Sequence, residues 1–204
     1  MKAKPMAVIG YFFGLGSPWA YLGLDPLLEL SARYGARLDP RPISLIEENG
    51  GIYSRNRPEV RRAYWFKDLR RWAELRGKTL KLEGRTGLSD PSPANFVVLA
   101  ALARGEDWIA PTRILQKAFW EEGLDIGDAR VRSGLLSAAG LDAEALEAEA
   151  RGERVRKAWS ENLDLARSAG VFGIPTHLLE GELYWGQDNL FFLERHLSRV
   201  AKAA

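Results

Sequence analysis

The β-forming segments of this 204-residue chain lie at its two ends, and more than half of the chain between them carries helical signals only. Residues 7–13 (AVIGYFF) are apolar and β-prone without alternation, the pattern of a strand buried on both faces. ARLDPRPISL (36–45) reads as a second strand. Near the other end, THLLE and ELYW flank Gly181 as a hairpin, followed by the amphipathic helix NLFFLERHLSRVAKA. Strands of one sheet must then come from both ends of the chain. This predicts an α/β fold in which a sheet domain (1–57 and 171–204) carries an all-helical insertion subdomain (58–170).

Between the first two strands, Ser17 is a good N-cap and Pro18 suits the first helical position, where its missing N–H costs nothing. The helix should run to about Tyr34 and stop at Gly35, with a kink at Pro26. Strand, helix, strand is a βαβ unit, so the first two strands should be parallel with a right-handed crossover. Inside the insertion, Trp65, Leu69 and Trp72 mark one apolar stripe. Ile114, Leu115, Ala118 and Phe119 mark a second, and Val155, Trp159, Leu163 and Ala166 a third. Asp128 and Asp142 read as N-caps, Gly140 closes the helix between them, and EGRTGLSDPSP (83–93) reads as a loop.

Composition then removes several kinds of chemistry. With 29 basic and 27 acidic residues the net charge is only +2, which gives no global case for nucleic-acid binding. No cysteine is present, so disulfides, thiolate metal sites and a cysteine nucleophile are excluded. The two histidines, His177 and His196, lack metal-ligand spacing, and no metal is expected; His177 reads as a strand residue. The N-terminal apolar run follows two lysines but is too short to span a bilayer and lacks an A-x-A cleavage site. A cytoplasmic protein without a membrane partner is expected.

A βαβ unit, a helical insertion, a hairpin and a last helix resemble the layout of DsbA-type thioredoxin-like proteins, whose first helix begins with Cys-x-x-Cys where this chain has Ser17-Pro18-Trp19-Ala20. A closer resemblance is to the 2-hydroxychromene-2-carboxylate isomerases and the related kappa-class glutathione transferases, which begin that helix with Ser-Pro. It is carried by SPWAYLG (17–23), NRP (56–58), YWFKDLRRWA (64–73), AFWEEGLDIGD (118–128) and GVFGIPTHLLEGELYWGQDNLFFLE (170–194). The resemblance implies glutathione, or another small thiol, as cofactor, an aromatic small-molecule substrate, a role in aromatic catabolism and a homodimer. It implies that Ser17 is the catalytic residue holding the glutathione sulfur. Ile174-Pro175 would be the cis-proline pair whose backbone meets the tripeptide. Trp185, Gly186, Gln187 and Asp188 would form a second glutathione-binding block, and Asn56 would lie near the substrate. A helix N-terminus favours a thiolate over a thiol, which gives the serine a physical reason to be there.

Each of these residues also has a structural reading. Ser17 and Asp188 can simply cap helices, and Pro175 can be an ordinary trans-proline at a strand start. Trp65 and Trp72 fit a core face. Three departures from the family pattern stand out. Its Phe-Asp-Phe-x-Ser-Pro becomes Phe13-Gly14-Leu15-Gly16-Ser17-Pro18, a lysine before the asparagine is replaced by Ser54 or Arg55, and EGRTGLSDPSPAN matches poorly. Arg55 to Arg76 carry eight basic and three acidic residues, which reads either as a solvated helix face or as a positive rim for anionic ligands. The activity implied is thiolate-assisted cis/trans isomerisation of an aromatic 2-oxo acid. The alternatives are a kappa-type transferase and a non-catalytic binding protein on the same scaffold.

Overall fold

The computed structural model describes residues 6–203; Lys2 and Lys4, the two lysines before the N-terminal apolar run, lie outside them. Four strands form one sheet in the order β2-β1-β3-β4: β1 (Val8–Phe13), β2 (Arg37–Pro42), β3 (Thr176–Leu179) and β4 (Glu182–Trp185). β1 and β2 are parallel, as the βαβ reading requires, and β3 runs antiparallel to both β1 and β4. The two prolines of β2, Pro40 and Pro42, are tolerated because β2 is an edge strand. Glu180 and Gly181, both at positive φ, close the β3–β4 hairpin.

β1 is central, and its alternate side chains feed two buried layers. Ile9, Tyr11 and Phe13 join a large cluster, while Phe12 packs with Ile43, Ile46, Ala166 and Val171 on the other face. The large cluster takes in Leu22 and Leu27 of α1 (Pro18–Tyr34). It also takes in Val97 and Val98 of α3 (Ser92–Arg104) and Leu115 of α4 (Ile109–Lys117), so sheet and helices share one core. α1 starts on Ser17, runs unbroken through Pro26, and ends at Gly35 in the left-handed conformation. The remaining helices are α2 (Glu59–Leu75), α5 (Ala129–Ala138), α6 (Ala143–Ala150), α7 (Glu153–Ser168) and α8 (Leu190–Ala203). A π-helical turn, Ala118–Glu122, follows α4. Asp128 and Asp142 cap α5 and α6 through their carboxylates, as the sequence suggested.

The segment 83–93 is not loop throughout, because α3 begins at Ser92. Asp90 Oδ1 accepts from the Ser92 N–H at 3.0 Å, and the proline in the first turn is already in helical geometry. Two side-chain links without a clear sequence signature also shape the insertion. Arg132 and Glu147, both buried, form a two-bond ion pair at 2.8 and 3.1 Å, and Arg132 donates to the carbonyls of Ile126 and Gly127. The buried Asn162 of α7 accepts from Arg41 and donates to the Pro42 carbonyl, tying α7 to the sheet edge.

His177 lies buried in β3, stacked on Tyr11 at 5.5 Å, with its Nδ1 3.0 Å from the Tyr184 carbonyl. Burial pushes its pKa down to about 4, against the opposing effect of the bond to Tyr184, so the ring is neutral in the fold. The unfolded chain takes up this proton near pH 6.5, so stability falls as pH drops from about 6.5 to 4, by roughly 3 kcal/mol. Urea titrations across that range should show the loss, and His177→Phe, which keeps a ring on Tyr11, should flatten it. An unchanged slope in the variant would rule this group out.

Candidate functional site

The β1–α1 corner opens onto a cleft of about 650 Å³ between the sheet end and the helical block. Ser17 stands at its base, only 6% exposed. Its hydroxyl accepts from the Ala20 N–H at 3.2 Å and donates to the Ile174 carbonyl at 3.1 Å. The Ser17 N–H bonds to the Gly14 carbonyl, and Pro18 has none to offer. The Trp19 N–H is thereby left as the one amide of this first turn without an acceptor among the described residues. Hydroxyl, free amide and helix dipole together make a small positive site suited to an anion or a thiolate.

Ile174 lines the same cleft, and its peptide bond to Pro175 is cis. No backbone acceptor faces the Ile174 N–H among the described residues, which leaves this stretch open to pairing with an extended peptide. Pro175 is held from behind, where its carbonyl accepts from the Gly186 N–H at 2.8 Å. The segment Trp185 to Asp188 is thus tied to the cis-proline loop but does not line the cleft. Trp185 packs edge-on against Phe172, and Gly186 adopts a φ of 90° that favours glycine. The Asp188 side chain is exposed, and its carboxylate has no hydrogen-bond or ion-pair partner among the described residues. The Gln187 side chain, by contrast, is buried against Gly23 and accepts from Arg76. Asn56 sits exposed in a short 3-10 turn and does not line the cleft.

The rest of the wall combines the start of the basic stretch with residues that the sequence did not mark, among them Tyr53, Ser89 and Asn95. Tyr53, Ser54, Arg55 and Arg57 form one side, with Arg55 stacked over the Tyr53 ring at 4.2 Å. Burial and the adjacent Arg61 guanidinium hold the Arg57 pKa below the usual arginine range, and Arg57 has no counter-ion among the described residues. Burial, with Glu47 and Asp90 nearby, pushes the Tyr53 hydroxyl up, so it stays protonated at neutral pH. The basic stretch from Arg55 to Arg76 therefore divides. Arg55 and Arg57 form the positive rim, whereas Arg61, Arg62 and Lys67 lie on the solvated face of α2. Trp65 both packs on the core and lines the cleft, while Trp72 packs on the core beneath Arg76.

On the other side Ser89, Asp90, Asn95, Phe119 and Trp120 close the cleft. Asp125 accepts from the N–H and Oγ of Ser89, which fixes this wall. Burial alone would raise the Asp125 pKa, but the bonds from Ser89, Gly127 and Asp128 bring it below the usual carboxylate value. The corner itself is gripped from the helical block: Asn95 Oδ1 accepts from the Leu15 N–H at 2.9 Å, and Trp120 Nε1 donates to the Leu15 carbonyl at 3.0 Å. Among the described residues no group of histidine and carboxylate side chains is arranged to hold a metal, and no helix is long and apolar enough to cross a membrane.

Comparison with known proteins bears on the family and the fold. The model of the DSBA-like thioredoxin domain matches residues 8–198. The chain is 30% identical over 194 residues to the 2-hydroxychromene-2-carboxylate isomerase of Sphingobium xenophagum, covering 93% of this chain and 97% of that one. It is 27% identical to the enzyme of the same name from Pseudomonas putida, with 96% of each chain covered. Among solved structures, a 2-hydroxychromene-2-carboxylate isomerase superposes with a TM-score of 0.78 at 26% identity, covering 96% of this chain and 97% of that one. The cytosolic disulfide reductase DsbM from Pseudomonas aeruginosa with GSH superposes with a TM-score of 0.66 at 26% identity, covering 94% and 99%.

Gly14, where the family pattern has aspartate, has no room for a side chain. A Cβ there would lie 2.8 Å from the Ile43 carbonyl oxygen and 3.0 Å from Ile174 Cδ1. Gly14→Asp should therefore lower stability by about 1–3 kcal/mol in urea unfolding rather than improve the site. Unchanged stability would show that the corner has space this geometry denies.

Proposed function

This chain belongs to the DSBA-like thioredoxin family and, within it, to the 2-hydroxychromene-2-carboxylate isomerases; on that premise we propose that it isomerises an aromatic 2-oxo acid, or its cyclic hemiketal, with a thiolate borrowed from glutathione. The observation that carries the reading is the meeting of the Ser17 hydroxyl, the α1 N-terminus and the carbonyl before the cis-proline in the wall of one cleft. A protein without cysteine needs a thiol from outside for sulfur chemistry, and this corner is built to hold one as the anion.

In this reading glutathione extends along Ile174, with its γ-glutamyl end toward the helix N-terminus at Gly186 to Asp188. When the cysteinyl backbone N–H takes the Ile174 carbonyl, the Ser17 hydroxyl is released to donate to the sulfur. The Trp19 N–H supplies a second donor, and the helix dipole adds to both. The thiolate adds to the alkene conjugated with the keto group, the former double bond rotates as a single bond, and the thiolate departs from the other isomer. Arg55 and Arg57, on the cleft wall, meet the substrate carboxylate, while Trp65, Phe119 and Trp120 accommodate its aromatic end. A thiolate retained in the product would make the same site a transferase, which product analysis with a generic electrophile separates.

Purified protein should isomerise such substrates only with glutathione or a similar thiol added, and Ser17→Ala should lower kcat by about 100-fold, the loss typical of one donor to a developing or stabilised anion. Full activity without any thiol would overturn the reading.

A further inference from the structure

Asn95 is 4% exposed, and its carboxamide lies in the wall of the cleft that contains Ser17. Because the Leu15 N–H can be served only by an oxygen, the bond to Oδ1 fixes the orientation of this amide. Nδ2 is then a donor without a partner among the described residues. The amide nitrogens of Gln116 and Gln187 are also unpartnered, but they are sealed inside the protein, and that of Asn95 is not. It lies 3.8 Å from the point a Cβ on Gly14 would occupy, and Ile174 Cδ1 lies 3.0 Å from that same point. The donor therefore sits where the β1–α1 corner meets the cis-proline loop. Because Nδ2 opens on the cleft and is not sealed, a ligand oxygen entering there can pair with it in place of solvent.

We propose that Asn95 donates Nδ2–H to the substrate oxygen on which charge gathers during isomerisation, an inference that rests on the thiolate reading above. The thiolate electron pair forms a C–S bond at the alkene carbon β to the ketone. The alkene pair shifts to make the enolate, so the negative charge moves from sulfur to the keto oxygen and no proton is transferred. After rotation the enolate re-forms the ketone and the alkene as the C–S bond breaks, and the thiolate leaves with its electron pair. The enolate oxygen is the one new charge of the addition step, and a neutral donor fixed beforehand stabilises it without reorganising. An amide suits this position better than a carboxylate would, since a second negative charge beside the sulfur disfavours the thiolate.

Two variants test the proposal. Asn95→Asp keeps an acceptor for the Leu15 N–H but removes the donor, and Asn95→Ala removes the donor without adding charge. Isomerisation kinetics, glutathione binding by calorimetry and thermal unfolding are measured on both. The proposal expects kcat to fall by about 100- to 1000-fold in both variants. It further expects that in Asn95→Ala, which adds no charge, the KM and the glutathione Kd stay within about threefold of wild type. Three results would overturn it: kcat within about threefold of wild type in either variant, a loss confined to Asn95→Asp, or, in Asn95→Ala, a kcat loss matched by an equal loss of glutathione affinity. The second traces to charge alone and the third to placement of the corner. Isomerisation by the wild-type protein without added thiol is a separate result, and it removes the underlying reading and this inference together.

Discussion

One hydrogen bond, 3.1 Å from the Ser17 hydroxyl to the Ile174 carbonyl, joins parts of the chain 157 residues apart. The two partners lie at the ends of neighbouring strands only because the chain begins and ends in the same sheet, with β3 laid against β1 after the helical block is complete. The strand that comes first in the sequence leads into the helix N-terminus, and the strand that returns is preceded by the cis-proline and the Ile174 carbonyl. Neither is a site without the other.

The helical block does more than separate them. Leu15, two residues before Ser17, has both of its backbone polar groups satisfied by side chains from that block, Asn95 on its N–H and Trp120 on its carbonyl. Asn95 in turn depends on α3 beginning where it does, just after Asp90, whose carboxylate accepts from the Ser92 N–H and hydroxyl. The neighbouring Ser89 is held by Asp125, and the loop beyond Asp125 is held by Arg132 through two carbonyls. Breaking the buried Arg132–Glu147 pair would leave a charge without compensation, so this support is rigid though remote from the cleft. A corner whose backbone is fixed in this way can present a hydroxyl and an amide to a ligand with little reorganisation.

Much of the frame was legible in the residues. The uninterrupted apolar run of β1, the Ser17-Pro18 start, the Gly35 stop and the glycine hairpin each follow from local backbone chemistry, and each element forms where that chemistry places it. The candidate cleft was legible where a helix terminus or a proline marks its wall, at Ser17 and Ile174-Pro175. It was obscure where the cleft is lined by long-range packing: a buried asparagine such as Asn95 in SPANFVV looks like any other helical residue until Leu15 is brought against it. Only the Asp90, Ser92 and Pro93 pattern of a helix start could have warned that the stretch 83–93 ends in ordered structure. The glycine at position 14 reads as a lost carboxylate in the sequence and as a steric requirement in the fold, because the Ile43 carbonyl and Ile174 occupy its surroundings.

These features make the charge state of a borrowed thiol the centre of the account. Ultraviolet titration of glutathione bound to the protein, following thiolate absorbance in a chain with no cysteine of its own, reads that state directly. The account predicts a bound thiol pKa at least about one unit below the value near 8.5 of a free thiol, with the depression largely lost in Ser17→Ala. A bound thiol that titrates at or above its free value would contradict it.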